Sequence, residues 1–275
     1  MSDIVIVPLR YDGKDAENHE LNLDALGESL RGAARILAVV GNFAVTGNCA
    51  MQSRAMDVRV VAREPRANCF TLEAVLQFAQ QQGLLQGVVA PIVAAIIGLV
   101  IAKASNNKAE MKHLAATVEK LIDAMTQSNI AQRDQVLAIV DRMTDALRPA
   151  AKQLVAPVGR SCRQMKVGDA VAIDEATAAA IRGQEDDEVD AMREYTIQIT
   201  ELDLENRTAK VRLDDESNKR VRAVISDPAI NVAGNAYAIA FAAQNPIRVQ
   251  AKAVLREGEI RSLYVSDTMG EHPPG

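Results

Sequence analysis

Aromatic residues are scarce in this chain. They make up 3% of its 275 residues, with four Tyr, four Phe and no Trp. Few rings are therefore available to stack on bases or sugars. The cysteines, Cys49, Cys69 and Cys162, are odd in number and far apart, so they indicate neither a disulfide framework nor a zinc site. The N-terminus also lacks the basic and apolar regions of a secretory signal, and we expect the chain to be made in the cytoplasm.

Catalytic and metal-binding motifs are missing as well. The sequence contains no phosphate-binding glycine loop, dinucleotide fingerprint, nucleophile elbow or zinc-protease helix. The histidines, His19, His113 and His272, have no Cys or carboxylate at metal-ligand spacing. We therefore expect no enzyme activity, no cofactor and no metal ion. A site assembled in space from distant residues is not tested by this reasoning.

The chain has no large excess of either charge. Its net charge is −5, and 24% of its residues are charged, which argues against attraction of the whole molecule to nucleic acid or acidic lipid but allows local patches. Residues 184–190 form an acidic run that we expect to be a surface loop. The length exceeds that of one usual compact domain, so we expect two modules with a connector.

Residues 1–70 are predicted to form a small N-terminal α/β module. Residues 4–9 and 56–62 have the composition and alternation of strands. Between them, apolar residues recur every three or four positions, which indicates an amphipathic helix, and Asn22 stands where a helix cap is expected. The apolar positions of this helix are Leu23, Leu26, Leu30, Ala33, Leu37, Val40 and Ala44.

Residues 84–102 form a long apolar run, LLQGVVAPIVAAIIGLVIA, with no charge and with Gln86 as its one polar side chain. At about 1.5 Å per residue, such a helix approaches the roughly 30 Å hydrocarbon thickness of a bilayer. We predict a membrane-competent helix that self-associates through a stripe of small residues. The alternative is a central helix in the core of a large soluble domain. The stripe consists of Ala90, Ala94, Gly98 and Ala102.

The remainder of the central region, residues 71–148, is also predicted to be helical. Residues 71–82 have a helical pattern, and residues 105–148 form an amphipathic helix that Pro149 ends. Its apolar seam has near-heptad spacing, interrupted by the polar residues Asn129 and Gln132. The seam packs either in a coiled coil between chains or against its own domain, and we rate the two as equal. Its positions are Leu114, Val118, Leu121, Met125, Val136, Val140, Met143 and Leu147.

The lysines that follow the apolar run predict its orientation in a membrane. A positive C-terminal flank belongs in the cytoplasm, which would carry the charged N-terminal module across the membrane without a signal sequence. We therefore expect conditional insertion: the chain is cytoplasmic as made, with its apolar helix covered, and reaches the inner membrane when active. The lysines are Lys103, Lys108, Lys112 and Lys120.

Residues 149–275 are predicted to form a small β-barrel domain. Three alternating segments, a helix-like stretch and two further strands follow in the order of a five-stranded OB-type barrel. The middle strands of such a barrel contact single-stranded nucleic acid, where Tyr195 or Tyr264 would stack a base. A solvated face with paired charges is at least as good an explanation of the basic residues. The candidate nucleic-acid-binding residues are Arg207, Lys210, Arg212, Lys219, Arg220, Arg222 and Arg248.

The chain as a whole resembles the membrane-effector subunits of Hailong anti-phage systems. The resemblance lies in the opening strand and helix, in the turn before the apolar run and in the terminal barrel. It implies a homo-oligomer, with a tetramer favoured, that is channel-like and is restrained by single-stranded DNA from a partner nucleotidyltransferase. The matching stretches are VPLRYDGKDAENHELNLDALGESLRGAARIL, EPRANCFTLEAV, RTAKVRL and GEIRSLYVSD.

Taken together, these patterns predict an α+β protein with three parts: residues 1–70, residues 71–148 and residues 149–275. The function they favour is a homo-oligomeric membrane effector of anti-phage defence that acts as a channel or permeabilises the membrane. The alternative is a soluble coiled-coil scaffold that presents a nucleic-acid-binding β-barrel and has no membrane activity. The partners expected for the first function are the chain itself, membrane lipid, single-stranded DNA and the nucleotidyltransferase.

Overall fold

The structure is a computed structural model that describes residues 4–52, 55–63, 70–78, 89–125, 130–183, 187–213, 220–256 and 259–269. The chain is a mixed α+β protein of two compact units, unit 1 at Met1–Arg182 and unit 2 at Gly183–Gly275. The division therefore falls after Arg182, and not at residues 70 and 148 as the sequence suggested.

Unit 1 contains a five-stranded sheet with the order β2-β3-β1-β4-β5, in which all neighbouring strands are antiparallel. The predicted first strand, helix and second strand are all present. The last two strands of the sheet lie more than 80 residues beyond β3 in the sequence, so the sheet is completed by distant segments. The strands are β1 Ile4–Asp12, β2 Val58–Arg63, β3 Phe70–Phe78, β4 Gln164–Val167 and β5 Val171–Ile173.

Six helices belong to the described part of unit 1. They are α1 Leu23–Thr46, α2 Val89–Ala104, α3 Lys108–Met125, α4 Ile130–Ala146, α5 Arg148–Leu154 and α6 Glu175–Arg182. Asn22 caps α1 as predicted, since its side chain accepts a hydrogen bond of 3.0 Å from the backbone N–H of Ala25. Gly32 allows the backbones of α1 and α5 to touch, because a Cβ at this position would lie 2.4 Å from the carbonyl oxygen of Ala150.

The predicted helix at residues 71–82 is wrong where the structure describes it, because residues 70–78 form strand β3. The spacing of Leu72, Val75 and Leu76 imitates a helical face. In the fold, however, β3 pairs with β1 on one side and with β2 on the other, so its backbone is hydrogen-bonded along both edges. These partners come from distant parts of the chain and override the local preference.

The described part of the apolar run, residues 89–102, lies in a helix that packs in the core of unit 1. The described part of this helix is α2, which has 16 residues and is about 24 Å long, shorter than the roughly 30 Å of a bilayer core. Among the helices of the described chain, none is both long and apolar enough to cross a membrane. The predicted transmembrane helix and the ion channel built on it are therefore wrong. Gln86 lies outside the described residues.

The stripe of small residues packs inside unit 1. Gly98 is buried, and a Cβ there would lie 3.2 Å from a methyl group of Leu114 on α3 and 3.7 Å from Val171 on β5. Ala102 is also buried, Ala94 is half-buried and Ala90 is exposed. The close approach that this stripe permits is thus used, at Gly98, between elements of the same chain.

The amphipathic region is two helices, α3 and α4, and not one helix over residues 105–148. Val118 on α3 and Val140 and Met143 on α4 are buried in the core of unit 1. Of the two readings of this seam, packing against the chain's own domain is the one observed. Asn129 and the side chain of Gln132 lie outside the described residues.

Unit 2 is a closed five-stranded β-barrel, with a sixth short strand, β6, on its edge. The barrel closes in the order β7-β8-β9-β11-β10-β7; β9 and β11 are parallel, and the other pairs are antiparallel. A helix, α7, lies in the chain between β9 and β10. Its elements are β6 Asp187–Val189, β7 Arg193–Asp203, β8 Thr208–Leu213, β9 Arg220–Ile225, α7 Ala236–Ala243, β10 Ile247–Arg256 and β11 Glu259–Thr268.

Candidate nucleic-acid interface

Strands β8 and β9 alternate strictly between buried apolar and exposed basic residues. Val211 and Val221 are buried in the barrel core, because successive side chains of a strand point to opposite faces. The four basic residues on either side of these two valines therefore lie on the outer surface. We call this surface the basic face; it consists of Lys210, Arg212, Arg220 and Arg222, all exposed.

The register of β8 and β9 places like charges directly opposite each other. Lys210 is paired with Arg222, and Arg212 is paired with Arg220. The two pairs lie on alternate rows of the antiparallel ladder and on the same face, so like charges repel each other and lower the stability of the sheet. The basic face is therefore not an arrangement that favours folding.

One carboxylate partly balances the basic face. Glu201 on β7 lies 2.7 Å from Lys210 and 3.3 Å from Arg220. The hydrogen bond from Lys210 is the main reason that the pKa of Glu201 is lowered. Arg212 and Arg222 have no ion pair with any residue of the described chain. Within the described residues, their guanidinium groups are therefore not neutralised by a carboxylate.

Of the other predicted basic residues, the structure describes Arg207 and Arg248, and both lie outside strands β8 and β9. Arg207 is half-buried in the turn between β7 and β8, with a left-handed backbone (φ 54°). Arg248 lies on β10 and pairs with Glu194 at 3.3 Å. Lys219 is outside the described residues. The structure thus groups four of the six candidates that it describes.

The two tyrosines considered for stacking lie on different sides of the barrel wall. Tyr195 packs against the barrel core, and burial raises its pKa. Tyr264 on β11 lies opposite Val224 of β9, two residues beyond the position opposite Arg222. Its neighbours Leu263 and Val265 are buried, so Tyr264 is on the outer surface. Tyr264 is the tyrosine that a ligand on the basic face can reach.

Two basic residues outside the predicted set lie at the end of β10 and near the start of β11. Arg256 and Arg261 both bind the carboxylate of Asp187, which is buried. Asp187 belongs to the acidic run that was expected to be a surface loop. The two arginines lie close together in the sequence, but only the tertiary structure brings β6 to them.

Metal chemistry has no support in the described residues, where no group of three or more His, Cys, Asp or Glu side chains is placed to hold an ion. Cys162 is fully buried, and burial raises the pKa of its thiol to about 12. Such a thiol is a poor nucleophile and a poor metal ligand, because both roles need the thiolate.

Comparison with known families agrees with the two units. A model described as "Domain of unknown function (DUF7946)" matches residues 7–182, more than half of the chain. The chain belongs to the DUF7946 family. A second model, "Family of unknown function (DUF7947)", matches residues 191–269. No curated protein and no solved structure matches.

The family boundaries follow the fold closely. The DUF7946 match ends at residue 182, the last residue of α6, and the DUF7947 match begins just before β7. Asp187 and the rest of β6 lie between the two matches. The basic face belongs entirely to the DUF7947 region.

Proposed function

We propose that the C-terminal barrel binds the phosphate backbone of single-stranded nucleic acid on its basic face. Unit 1 supplies a folded scaffold to which this binding module is joined, and the chain has no catalytic role. The observation that carries the proposal is the pair of like-charge rows, Lys210 with Arg222 and Arg212 with Arg220.

The electrostatics of the basic face support a polyanionic ligand. Among the described residues, four cations face one carboxylate, Glu201, so this part of the surface has an excess of positive charge although the whole chain has a net charge of −5. Repulsion between opposed cations is relieved when phosphates bind between them, since each phosphate replaces repulsion by charge-assisted hydrogen bonds. A row of phosphates matches a row of cations better than a single small anion does.

The topology of the barrel supports the same ligand. Its strand order, its one parallel pair and the helix between the third and fourth strands agree with an OB-type barrel. In such barrels the second and third strands form the surface that binds oligonucleotides. These are β8 and β9 here. With Tyr264 as the one ring beside the face, we expect phosphate contacts to dominate over stacking.

The test is a titration of the full-length protein against a labelled single-stranded oligonucleotide of mixed sequence, followed by fluorescence anisotropy at several salt concentrations. The logarithm of affinity falls with the logarithm of salt by about 0.7 for each phosphate contacted in a single strand. Arg212→Gln and Arg222→Gln are each expected to reduce this slope by about 0.7.

The matched control is Arg193→Gln, which removes the same charge from an exposed arginine that is paired with Asp190 outside the basic face. It is expected to leave the slope unchanged. A wild-type slope near zero, or equal effects of all three variants, would contradict the phosphate model. A double-stranded oligonucleotide of the same sequence is expected to bind more weakly, because a barrel groove follows a flexible single strand.

The wider setting stays a prediction of the resemblance to Hailong effectors. It includes the homo-oligomer, the contact with membrane lipid, the permeabilising activity, the inner-membrane location of the active form and the partner nucleotidyltransferase. Single-stranded DNA as the specific ligand has the same status. The barrel proposal requires none of these, since it rests on charges and register alone.

A further inference from the structure

The strand β6 carries a buried carboxylate although it is not one of the five barrel strands. The side chain of Asp187 is 2% exposed, which is unusual for an acid unless it is paired. β6 pairs with the far end of β10, so that Asp187 lies opposite Arg256. The carboxylate thus sits where β6, β10 and β11 meet.

Two arginines hold this carboxylate. Arg256 binds it through two nitrogens, with Nε at 2.7 Å from one oxygen and Nη2 at 3.2 Å from the other. Arg261 on β11 binds it through Nη1 alone, at 2.9 Å. Both oxygens of Asp187 are therefore occupied, and two cations share one anion.

The two arginines differ in the exposure of their side chains. The Arg256 side chain is 32% exposed, and that of Arg261 is 52% exposed. Arg261 has no other recorded bond within the described chain, and a guanidinium has five donors. Within the described chain, Nη1 of Arg261 is therefore bound to Asp187, while its Nε and Nη2 donors make no hydrogen bond.

We propose that Asp187 positions Arg261 as a further phosphate-binding residue, which extends the basic face across β11. The proposal rests on the proposed function, because it takes the same ligand, the sugar-phosphate backbone of a single strand. In this arrangement Asp187 does not touch the ligand. It fixes the guanidinium that does.

Position on the barrel supports the extension. β9 and β11 run parallel, with Arg222 opposite Ser262, and paired strands lie about 4.8 Å apart. Arg261 is the residue next to Ser262, so its backbone is close to that of Arg222. A strand of nucleic acid that leaves the basic face past Arg222 meets β11 next.

Rigidity is the second physical reason. A free surface arginine loses side-chain entropy when it binds, which weakens the contact. Arg261 is already held by a charge-assisted hydrogen bond to a buried group, so less freedom remains to be lost. Arg212 and Arg222, which lack such a partner in the described chain, do not have this advantage.

Neighbouring acids limit the size of the effect. Glu259 lies opposite Arg256 in the ladder, and Glu188 follows Asp187 on β6. Both carry negative charge near Arg261, so we expect the contribution of one phosphate contact and no more.

The experiment repeats the salt titration with full-length Arg261→Gln, Arg261→Lys and the control Arg193→Gln. Arg261→Gln is expected to lower the slope by about 0.7, whereas Arg261→Lys, which keeps the charge, is expected to retain it. If Arg261 only pins β6, the Gln variant lowers the melting temperature but has the same slope as Arg193→Gln. That result overturns the proposal.

The role of Asp187 is tested by whether its substitution raises or lowers affinity for the oligonucleotide. Glu188→Gln and Asp187→Asn each remove one negative charge near the site, and charge alone predicts tighter binding for both. Loss of positioning predicts the opposite for Asp187→Asn, a several-fold weaker affinity. Tighter binding by a folded Asp187→Asn variant overturns the positioning role; if this variant fails to fold, the Arg261 pair decides.

The two proposals fail in different ways. If Arg212→Gln and Arg222→Gln lower the slope and Arg261→Gln does not, the basic face stands and the extension is wrong. If the wild type shows no salt-dependent binding, the proposed function is wrong and the extension falls with it.

Discussion

Helix α2 of unit 1 and the basic face of unit 2 are the two most unusual stretches of the sequence, and the structure treats them in opposite ways. The apolar residues of α2 are covered by α1, α3, α4 and α5. The cations of β8 and β9 are opposed by other cations, with Glu201 as the one acid bound to them in the described chain.

Folding explains the apolar residues of α2, because they form a core. It does not explain the opposed cations of β8 and β9. Burial of Ile96 and Val100 removes apolar surface from water and stabilises unit 1. Opposed cations lower stability, and the ligand that we propose for the basic face would offset this cost. An extreme composition is informative about function only after the fold has been shown not to require it.

The largest effect is expected from a substitution that disrupts the packing of α2. Gly98→Arg places a charge in the core of unit 1 against Leu114, and an unpaired buried charge costs several kcal/mol. We expect unit 1 to lose its folded structure, measured by hydrogen exchange of the full-length chain, while the barrel strands stay protected.

The matched control is Gly27→Arg, at an exposed position of α1 where a Cβ meets nothing within 4 Å. Arginine favours a helix over glycine by up to about 1 kcal/mol, so this variant is expected to be as stable as the wild type or more stable. Equal behaviour of the two variants would mean that α2 is not the core helix observed here.

A smaller effect concerns protons buried in unit 1. Tyr11 donates to Ser29 at 3.0 Å, and Ser29 donates to the carbonyl oxygen of Leu154. Burial is the main cause that raises the pKa of Tyr11 from 10.0 to about 12. The unfolded chain releases this proton first, so the stability that Tyr11 contributes is intact below pH 10 and is lost as pH rises to 12, by roughly 3 kcal/mol in total.

Urea unfolding of the full-length protein at a series of alkaline pH values checks this expectation. Tyr11→Phe is expected to lower stability by about 1 kcal/mol at neutral pH, through the lost hydrogen bond, and to make the alkaline decline shallower. The buried thiol of Cys162 contributes a decline of the same sign in both proteins. An unchanged alkaline slope in the Phe variant would contradict the assignment to Tyr11.

The smallest effect is expected from removing the carboxylate that partly neutralises the basic face. Glu201→Gln removes the carboxylate that binds Lys210 and Arg220, and exposed ion pairs of this kind contribute little to stability. We expect affinity for a single-stranded oligonucleotide to rise a few-fold, with little change in melting temperature. Glu194→Gln, which frees Arg248 on β10 instead, is the control; an equal gain there would argue against a localised face.

The barrel was largely predictable because its signals are local. Each strand from β7 to β11 alternates apolar and polar residues and is bounded by turn residues, and the order of elements suggested closure before any contact was known. The basic candidates on β8 and β9 followed from the same alternation. Arg248 could not be separated from them, because its pairing with Glu194 depends on which strand lies beside β10.

Unit 1 was harder to predict because the strands and helices that pack together in it are far apart in the sequence. The residues of β3 have helical spacing, and only the edges offered by β1 and β2 make them a strand. The division into α3 and α4 likewise depends on a core that takes Val118 from one helix and Met143 from the other. Contacts across more than 100 residues, such as β1 with β4, leave no periodic trace in a sequence.

By itself the sequence determined the alternation that builds the barrel, the cap at Asn22 and the cations at Lys210, Arg212, Arg220 and Arg222, since each depends on residues a few positions apart. Tertiary structure alone decided that the apolar run is covered by its own unit and that Asp187 meets Arg256 and Arg261. Hydropathy measures only how strongly a segment avoids water. What covers that segment depends on which distant elements pack against it.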